Sequence, residues 1–198
     1  MKKTIVLLVL AVLASGCATV KLKEDKTYYT KANVWYEKPN EVLTVYHKGE
    51  IIPVGTKVTV VNASGSCITF IPESNSKKYT LVNSSKYSNI GIEEFFNQYF
   101  SESDVKAEGG EFYNFTEEER KNIENGIIAS GMSKEAVLMA YGYPPSHRTP
   151  DTRSNRWVYW ISKFRNFGVE FKDNKAILDE KSNRQKVQQD SVEPAEKP

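Results

Sequence analysis

The segment that most constrains the fold runs over residues 116–178, where helix signals give way to strand signals. Its centre is the run GMSKEAVLMAYGYPP at 131–145. Gly131 favours the left-handed conformation that ends a helix, and Ser133 is a strong N-cap for the next one. Apolar residues then recur at helical spacing until Gly142 stops the helix. The sequence therefore predicts two helices that meet at a tight corner.

The same segment begins with a helix-start signal and closes with a small predicted sheet. Thr116 and Glu119 have the spacing of a capping box, so we interpret the acidic run as the start of a helix rather than as general acids. Asp173-Asn174 predicts the last turn. Apolar residues alternate with more polar neighbours at Trp157, Tyr159 and Ile161 and again at Phe167, Val169 and Phe171.

This pattern resembles the SmpA/OmlA family, the BamE-like small outer-membrane lipoproteins. The resemblance implies an α+β domain over 110–180, with two helices and a three-stranded antiparallel sheet (BamE/BLIP-like). It also implies a contact surface on the exposed sheet face and neighbouring loops. The matching residues are Gly131–Val137, the Gly142–Pro145 break, the Trp157–Tyr159 strand and the Val169–Phe171 strand before the Asp-Asn turn.

The N-terminus has the pattern of an export signal. Two lysines precede a short apolar run over 4–13, and Ala14-Ser15-Gly16-Cys17 then resembles a bacterial lipobox. The apolar run is shorter than the about 20 residues that a membrane-spanning helix needs. The sequence therefore predicts a lipoprotein signal peptide over 1–16 and lipidation of Cys17. A plain secretory signal that happens to end at a cysteine is the alternative.

The residue after the lipid acceptor predicts the location. Ala18 rather than aspartate follows Cys17, which in sorted lipoproteins of Gram-negative bacteria implies the outer membrane. The resemblance to these lipoproteins implies a protein that is anchored by lipid and faces the periplasm. We interpret residues 17–26 as the lipidated cysteine with a polar tether.

Charge gives no support to nucleic-acid binding. The chain has 27 Lys and Arg and 25 Asp and Glu, and loss of the signal peptide removes Lys2 and Lys3, which leaves the mature protein formally neutral. A nucleic-acid partner would need a basic surface. At the other end, residues 181–198 are rich in Gln, Lys, Glu and Pro with few apolar residues, which predicts a disordered tail.

Residues 27–102 are predicted to form a separate β-rich domain. Short strand patterns with turn residues between them predict about five strands, with the first two over 28–36 and 42–46. Their close spacing favours a small barrel. The run Lys31–Val34, with the later Pro53–Val58, resembles a bacterial SH3-like module. An unrelated β-barrel or an open sheet is the alternative.

An apolar stripe at helical spacing follows these strands: Ile92, Phe95, Phe96, Tyr99 and Phe100. It predicts a helix over 91–100 that caps the β-rich domain. A groove-binding helix or a helix lying on a membrane is the alternative, although the polar face of this helix is acidic. The charged, glycine-bearing stretch over 101–110 is predicted to link the two domains.

The sequence contains no set of residues that catalysis would need. His47 and His147 lie in predicted turns without a ligand-spaced partner, so we expect both to be solvated. Cys67 lies in a strand-like run and is predicted to be a buried, inert thiol, which cannot form an intramolecular disulfide once Cys17 is acylated. No nucleophile elbow or phosphate-binding loop occurs. We therefore predict a protein that is not an enzyme and has no cofactor or metal.

The candidate binding residues are Trp160, Arg156 and Lys163. Alternate residues of a strand face opposite ways, so Trp157 and Tyr159 cannot share a face with Trp160. If the first two lie in the core, Trp160 lies outside among cations, a composition typical of interface hot spots. The alternative is that the first domain or the tail covers Trp160.

Together these patterns predict a non-catalytic accessory or scaffold in outer-membrane and envelope assembly. Its partners would be the membrane, through Cys17, and envelope proteins such as the outer-membrane assembly machinery. The alternative function is binding of cell-wall peptidoglycan or another ligand through the SH3-like β-domain.

Overall fold

The computed structural model describes residues 19–22 and 26–178. Within them the chain is α+β, with three α-helices and three sheets, which confirms the predicted fold class. The predicted signal peptide, the lipid acceptor Cys17 and the predicted tail over 181–198 lie outside the described residues. No helix in the described part of the chain is long and apolar enough to cross a bilayer.

The first block consists of short strands and one helix. In chain order they are β1 (Tyr28–Thr30), β2 (Val34–Tyr36), β3 (Val42–Leu43), β4 (Glu50–Ile52), β5 (Lys57–Ser64), β6 (Cys67–Pro72), β7 (Tyr79–Val82), α1 (Ile92–Tyr99) and β8 (Phe100–Ser101). Six strands form a sheet in the order β3-β7-β6-β5-β1-β8 that curls into a half-barrel. In it β3 and β7 run parallel, and the other neighbours run antiparallel. β2 pairs with β4 apart from this sheet, and the SH3-like arrangement stays a prediction.

Two predicted strands are shorter than the alternation indicates. The sequence predicts one strand over 28–36, but the chain bends at Lys31, whose N–H donates to the carbonyl of Tyr99 at 2.9 Å. The predicted strand over 42–46 ends at Leu43, where the chain turns. Each of these two strands stops early because of a distant hydrogen-bond partner or a turn, and an alternating sequence pattern indicates neither.

The helix α1 covers the first sheet, as predicted. Phe96 meets the ring of Tyr28 edge to face at a centroid distance of 5.3 Å. Phe100, predicted as the last residue of the helix, instead begins β8 and pairs with Thr30. The prediction that this helix caps the β-rich block is confirmed, because its apolar residues Ile92, Phe95, Phe96 and Tyr99 are all buried in the first core.

The second block contains the two helices and three strands that the sequence predicts. After a 3-10 turn (Glu111–Asn114) they are α2 (Glu117–Glu124), α3 (Lys134–Tyr141), β9 (Arg156–Ser162), β10 (Arg165–Lys172) and β11 (Lys175–Ile177). The strands form an antiparallel sheet in the order β11-β10-β9. Gly142, with φ of +86°, ends α3 as predicted. The prediction that Gly131 ends the first helix at a tight corner is wrong, because α2 already stops at Glu124, where Asn125 is the C-cap and Gly126 takes a φ of +63°.

One carboxylate joins the starts of both helices to β11. The Thr116 N–H donates to the Glu119 carboxylate at 3.1 Å, and the Glu119 N–H donates to the Thr116 hydroxyl at 3.2 Å, which confirms the predicted capping box. The carboxylate also accepts from the Ser133 N–H at 2.8 Å and from Lys175 Nζ at 3.3 Å. Burial raises the pKa of Glu119, but these hydrogen bonds outweigh it and lower the pKa to about 2.

The two blocks meet through buried groups. Val54 of the first block and Val105 of the predicted linker both belong to the second core. Asn33 is fully buried, and its side-chain amide donates to the carbonyls of Ile123 at 2.6 Å and Ala140 at 2.9 Å. Its side-chain oxygen accepts from the Val54 N–H at 2.8 Å. The domain boundaries stay a prediction, but buried apolar residues and buried hydrogen bonds join the two blocks.

Cys67 does not lie where the sequence predicts. It is the first residue of β6, it is half-buried, and its thiol is free. The strand alternation places Ile68 and Phe70 in the core and Cys67 on the opposite face. The prediction of a buried thiol is wrong because the run CITFI alternates between two faces instead of lying wholly inside.

The chain joins the first sheet close to its N-terminus. Thr19 pairs with Ser64 at the end of β5, and the Val20 N–H donates to the carbonyl of Ala63 at 2.9 Å. Val20 and Leu22 pack against the first core. Part of the predicted tether therefore runs along β5.

Candidate functional site

The two faces of β9 differ as the alternation predicts. Trp157 and Tyr159 are fully buried in the second core, and Ile161 is buried beyond them. Trp160 lies on the opposite face and is half-buried. The assignment of Trp157, Tyr159 and Ile161 to the core is confirmed, and Trp160 is the large aromatic residue of the outer face.

Residues from both blocks surround Trp160. Its ring lies 6.1 Å from the ring of Tyr87 and 5.4 Å from the ring of His147, and the Arg148 guanidinium lies 5.9 Å away. Tyr46 pairs with it along the backbone. Among the described residues, its indole Nε1 is buried without a hydrogen-bond partner. The first block therefore covers one side of the indole. We call Tyr46, Tyr87, His147 and Trp160 the Trp160 cluster.

Three cations lie around this cluster. The Lys86 ammonium lies 5.2 Å from the centre of the Tyr87 ring. The hydrogen bond with Tyr46 lowers the pKa of Tyr87, and Lys86 and the charge of Lys163, in the turn after β9, lower it further. Within the described ranges, neither lysine nor Arg148 forms a salt bridge. Cations beside aromatic faces suit a carboxylate ligand with an apolar neighbour.

Arg156 lies apart from the other two predicted site residues. Its Nε pairs with the Glu170 carboxylate at 3.1 Å, and both side chains are largely exposed. It stands four residues before Trp160 on the same face of β9, a separation of about 13 Å. The structure thus brings Trp160 and Lys163 to one place and leaves Arg156 at the other end of the strand. Their role in binding stays a prediction.

Sequence reasoning missed the residues that two loops bring to Trp160. The His147 N–H donates to the carbonyl of Tyr87 at 3.2 Å, and the Asn89 N–H donates to Ser146 Oγ at 3.1 Å. These bonds hold the loop after β7 against the segment after α3. Neither loop has a motif, so no local signal in the sequence points to this contact.

His47 is not the solvated loop residue that the sequence predicts. It is buried between the blocks, where its imidazole stacks on Tyr141 at 4.7 Å and meets Tyr159 edge to face at 5.1 Å. Its Nδ1 lies 3.2 Å from the carbonyl of Trp160. Burial lowers the pKa of His47 to about 4, against a smaller opposing effect of that carbonyl. The exposed His147 agrees with the prediction.

The buried His47 predicts a pH dependence of stability. Above a pH of about 6.5, the His47 imidazole is neutral in the folded and in the unfolded chain. Below that pH, the unfolded chain binds a proton at His47, whereas the folded chain binds it only near pH 4. The free energy of unfolding should therefore fall by about 3 kcal/mol as the pH drops through this window. Denaturant titrations between pH 7 and pH 4.5 measure it.

Two variants isolate the histidine responsible. His47→Phe keeps a ring against Tyr141 but cannot take up a proton. The dependence of the free energy of unfolding on pH between 6.5 and 4.5 should therefore vanish in this variant. His147→Phe changes an exposed ring and should keep the slope. Glu119 contributes only below its ordinary pKa of 4.5, because its folded pKa is about 2. If the free energy of unfolding of His47→Phe still falls between pH 6.5 and 4.5, a group other than His47 causes the pH dependence.

The first block also has an open depression, which we call the β2 groove. It has a volume of about 160 Å³. Lys48 and Glu37 form an ion pair at its side, with 2.7 Å between Nζ and Oε2. Aromatic faces, carboxylates and ammonium groups all contribute to its lining, which consists of Trp35, Tyr36, Glu37, Lys38, Glu41, Leu43, Tyr46 and Lys48.

The described residues give two further findings on function. No three of their His, Cys, Asp or Glu side chains come together in a group that could hold a metal ion. Comparison of the chain with protein-family models, with curated proteins and with solved structures gave no match. Functional conclusions therefore rest on the residues of this chain and their contacts.

Proposed function

We propose that this chain is a lipid-anchored lipoprotein of the outer membrane that faces the periplasm and acts as a non-catalytic accessory or scaffold in envelope assembly. The observation that carries the proposal is the run Ala14-Ser15-Gly16-Cys17 after a short apolar segment. The pairing of Thr19 with Ser64 supports it, because the folded body begins two residues after the lipid acceptor.

The second block supports an SmpA/OmlA-like arrangement, which remains part of the proposal. Two N-capped helices, α2 and α3, are joined by the segment 125–133, and a three-stranded antiparallel sheet follows them. In that arrangement the outer sheet face is the contact surface. Here this face carries Trp160 and Arg156, with Lys163 in the turn after β9.

The partner that fits this surface is an envelope protein with an apolar side chain next to a carboxylate. Trp160 is half-buried, so a partner could complete its burial at little cost in side-chain entropy. Arg148 stands beside it, and Lys163 lies in the turn after β9. Among the described residues, neither forms a salt bridge. A carboxylate of the partner would therefore gain charge-assisted hydrogen bonds without displacing an existing pair.

The anchor is tested by Cys17→Ser. We expect the wild-type protein to incorporate a fatty-acid analogue during growth and to fractionate with membranes, because Cys17 carries the only thiol in the lipobox-like run. The variant should take up no label and should stay unprocessed or soluble. Cys67→Ser, which removes the other cysteine, should leave labelling unchanged. A wild-type protein without label would refute the lipoprotein proposal.

A second candidate function is binding of cell-wall glycan in the β2 groove. Its volume of about 160 Å³ suits one six-membered ring, since a cavity of about 150 Å³ holds benzene. Its carboxylates and ammonium groups are balanced, which favours a neutral ligand with hydroxyl groups. Capture of envelope proteins, compared with sedimentation on purified peptidoglycan, separates the two functions. Retention on peptidoglycan without a protein partner would favour the second.

A further inference from the structure

The β9–β10 hairpin ends in an exposed aromatic residue. Ser162 pairs with Arg165, so Lys163 and Phe164 form the turn between the two strands. The side chain of Phe164 is 83% exposed, whereas the other exposed large apolar side chains among the described residues show about half of their surface. We call residues 162–165 the hairpin tip.

The turn itself does not require a phenylalanine. Hairpin turns favour Gly, Asn and Asp, and neither Lys163 nor Phe164 has a positive φ. The Lys163 ammonium lies 4.7 Å from the centre of the Phe164 ring, and the ring remains in solvent. A single exposed apolar residue is common on protein surfaces, so the surroundings of Phe164 decide its role.

The strands below the hairpin tip are held in place. Ile161 is buried, and Phe167 packs against the second core. The His47 N–H donates to the carbonyl of Trp160 at 2.9 Å, which joins the hairpin to the first block. The hairpin tip therefore stands on a fixed backbone, and a partner that binds it orders few additional groups.

Positive charge predominates around the hairpin tip. Residues 152–169 contain four cations and no Asp or Glu. The two cations that flank the exposed ring, Lys163 and Arg165, form no salt bridge among the described residues. In the segment of the first block beside β9, Lys48 is already paired with Glu37 at 2.7 Å, so this pair leaves the excess of positive charge unchanged. Carboxylates of a partner would gain charge-assisted hydrogen bonds here.

We infer that the hairpin tip enters a concave site of the envelope partner, where Phe164 fills an apolar pocket and Lys163 and Arg165 meet carboxylates at its rim. Aromatic residues and Arg are enriched at the centres of interfaces. Trp160 stands four residues before Phe164, so their Cα atoms lie within about 14 Å, and an interface of about 800 Å² per partner includes both. This inference rests on the proposed function and adds Phe164 and Arg165 to its binding surface.

Photo-cross-linking of the full-length protein in growing cells tests which molecule the hairpin tip touches. The photoreactive p-benzoylphenylalanine replaces Phe164, Asn166, which pairs with Trp160, or Ile177 in the far edge strand. We expect positions 164 and 166 to cross-link the same protein, which mass spectrometry identifies, and position 177 not to cross-link it. Cross-links from position 164 to lipid alone would overturn the inference and assign the hairpin tip to the bilayer.

Truncation of the ring measures its contribution. Phe164→Ala should lower the yield of the cross-link from position 166 by about tenfold or more, because a hot-spot side chain is lost. It should leave the thermal midpoint unchanged, because the ring is 83% exposed. Phe164→Leu keeps an apolar side chain and should retain most of the yield. Ile177→Ala truncates another exposed apolar residue and should change neither quantity.

The outcomes separate the hairpin tip from the proposed function. If position 166 cross-links a protein and position 164 does not, or if Phe164→Ala leaves the yield unchanged, the inference is wrong and the proposed partner surface stands. If neither position cross-links a protein, the inference and the proposed surface both fail.

Discussion

Replacing Asn33 with alanine should lower the free energy of unfolding by about 3 kcal/mol or more, because it removes three buried hydrogen bonds at once. The side chain satisfies the carbonyls of Ile123 and Ala140 and the N–H of Val54, and Asn33 is 0% exposed. Each buried polar group that is left without a hydrogen-bond partner lowers the free energy of unfolding by about 1–3 kcal/mol. Guanidinium titration of the purified protein measures the change.

Two matched variants sharpen this test. Asn97→Ala makes the same chemical change on the exposed face of α1 and should shift stability by less than about 0.5 kcal/mol. Asn33→Asp keeps an acceptor for Val54 but sets a carboxylate against two carbonyl oxygens, so it should destabilise at least as much as alanine. A small effect of Asn33→Ala would mean that the interface between the blocks relaxes and admits water.

Replacing Trp157 with alanine should cost about 3–5 kcal/mol, the range for a fully buried large aromatic side chain. Trp157 is 0% exposed, lies 4.5 Å from the ring of Phe171, and donates from Nε1 to the carbonyls of Thr152 at 3.1 Å and Ser154 at 3.2 Å. The variant loses this packing and leaves a cavity between α3 and the sheet. Thermal and denaturant unfolding both report it.

Trp160→Ala is the matched comparison from the other face of the same strand. Its indole is half-buried and donates no hydrogen bond among the described residues, so the loss of stability should be clearly smaller than for Trp157→Ala. In the proposed function it should also weaken capture of the envelope partner, by about 2 kcal/mol for a hot spot. Equal destabilisation by the two variants would make Trp160 a core residue and would move the proposed binding surface.

Local signals in the sequence predict the second block well. The capping box of Thr116 and Glu119, the N-cap Ser133 and the C-cap Gly142 each act within a few residues, so their geometry follows from the sequence alone. The period-2 pattern of β9 places Trp157 and Trp160 on the correct faces for the same reason.

Sequence reasoning fails where the partner is distant in the chain. Asn33 bonds to carbonyls 90 and 107 residues away, and His47 lies beside the carbonyl of Trp160, 113 residues away. A polar residue in a predicted turn, such as His47, looks solvated until such a partner is known. The Trp160 cluster is missed for the same reason, since Tyr87 and His147 belong to loops without a motif.

The long span of the contacts at Asn33 and His47 also sets the order of folding. A chain that emerges from its N-terminus presents β1 to β7 first. The side-chain amide of Asn33 then has no carbonyl acceptor until residue 123 has emerged, and the ring of His47 has no stacking partner until residue 141 follows. Closing loops of this length is entropically expensive, so the first block cannot reach its native state early. In the proposed export, its apolar strands would stay accessible to chaperones until most of the chain has been translocated.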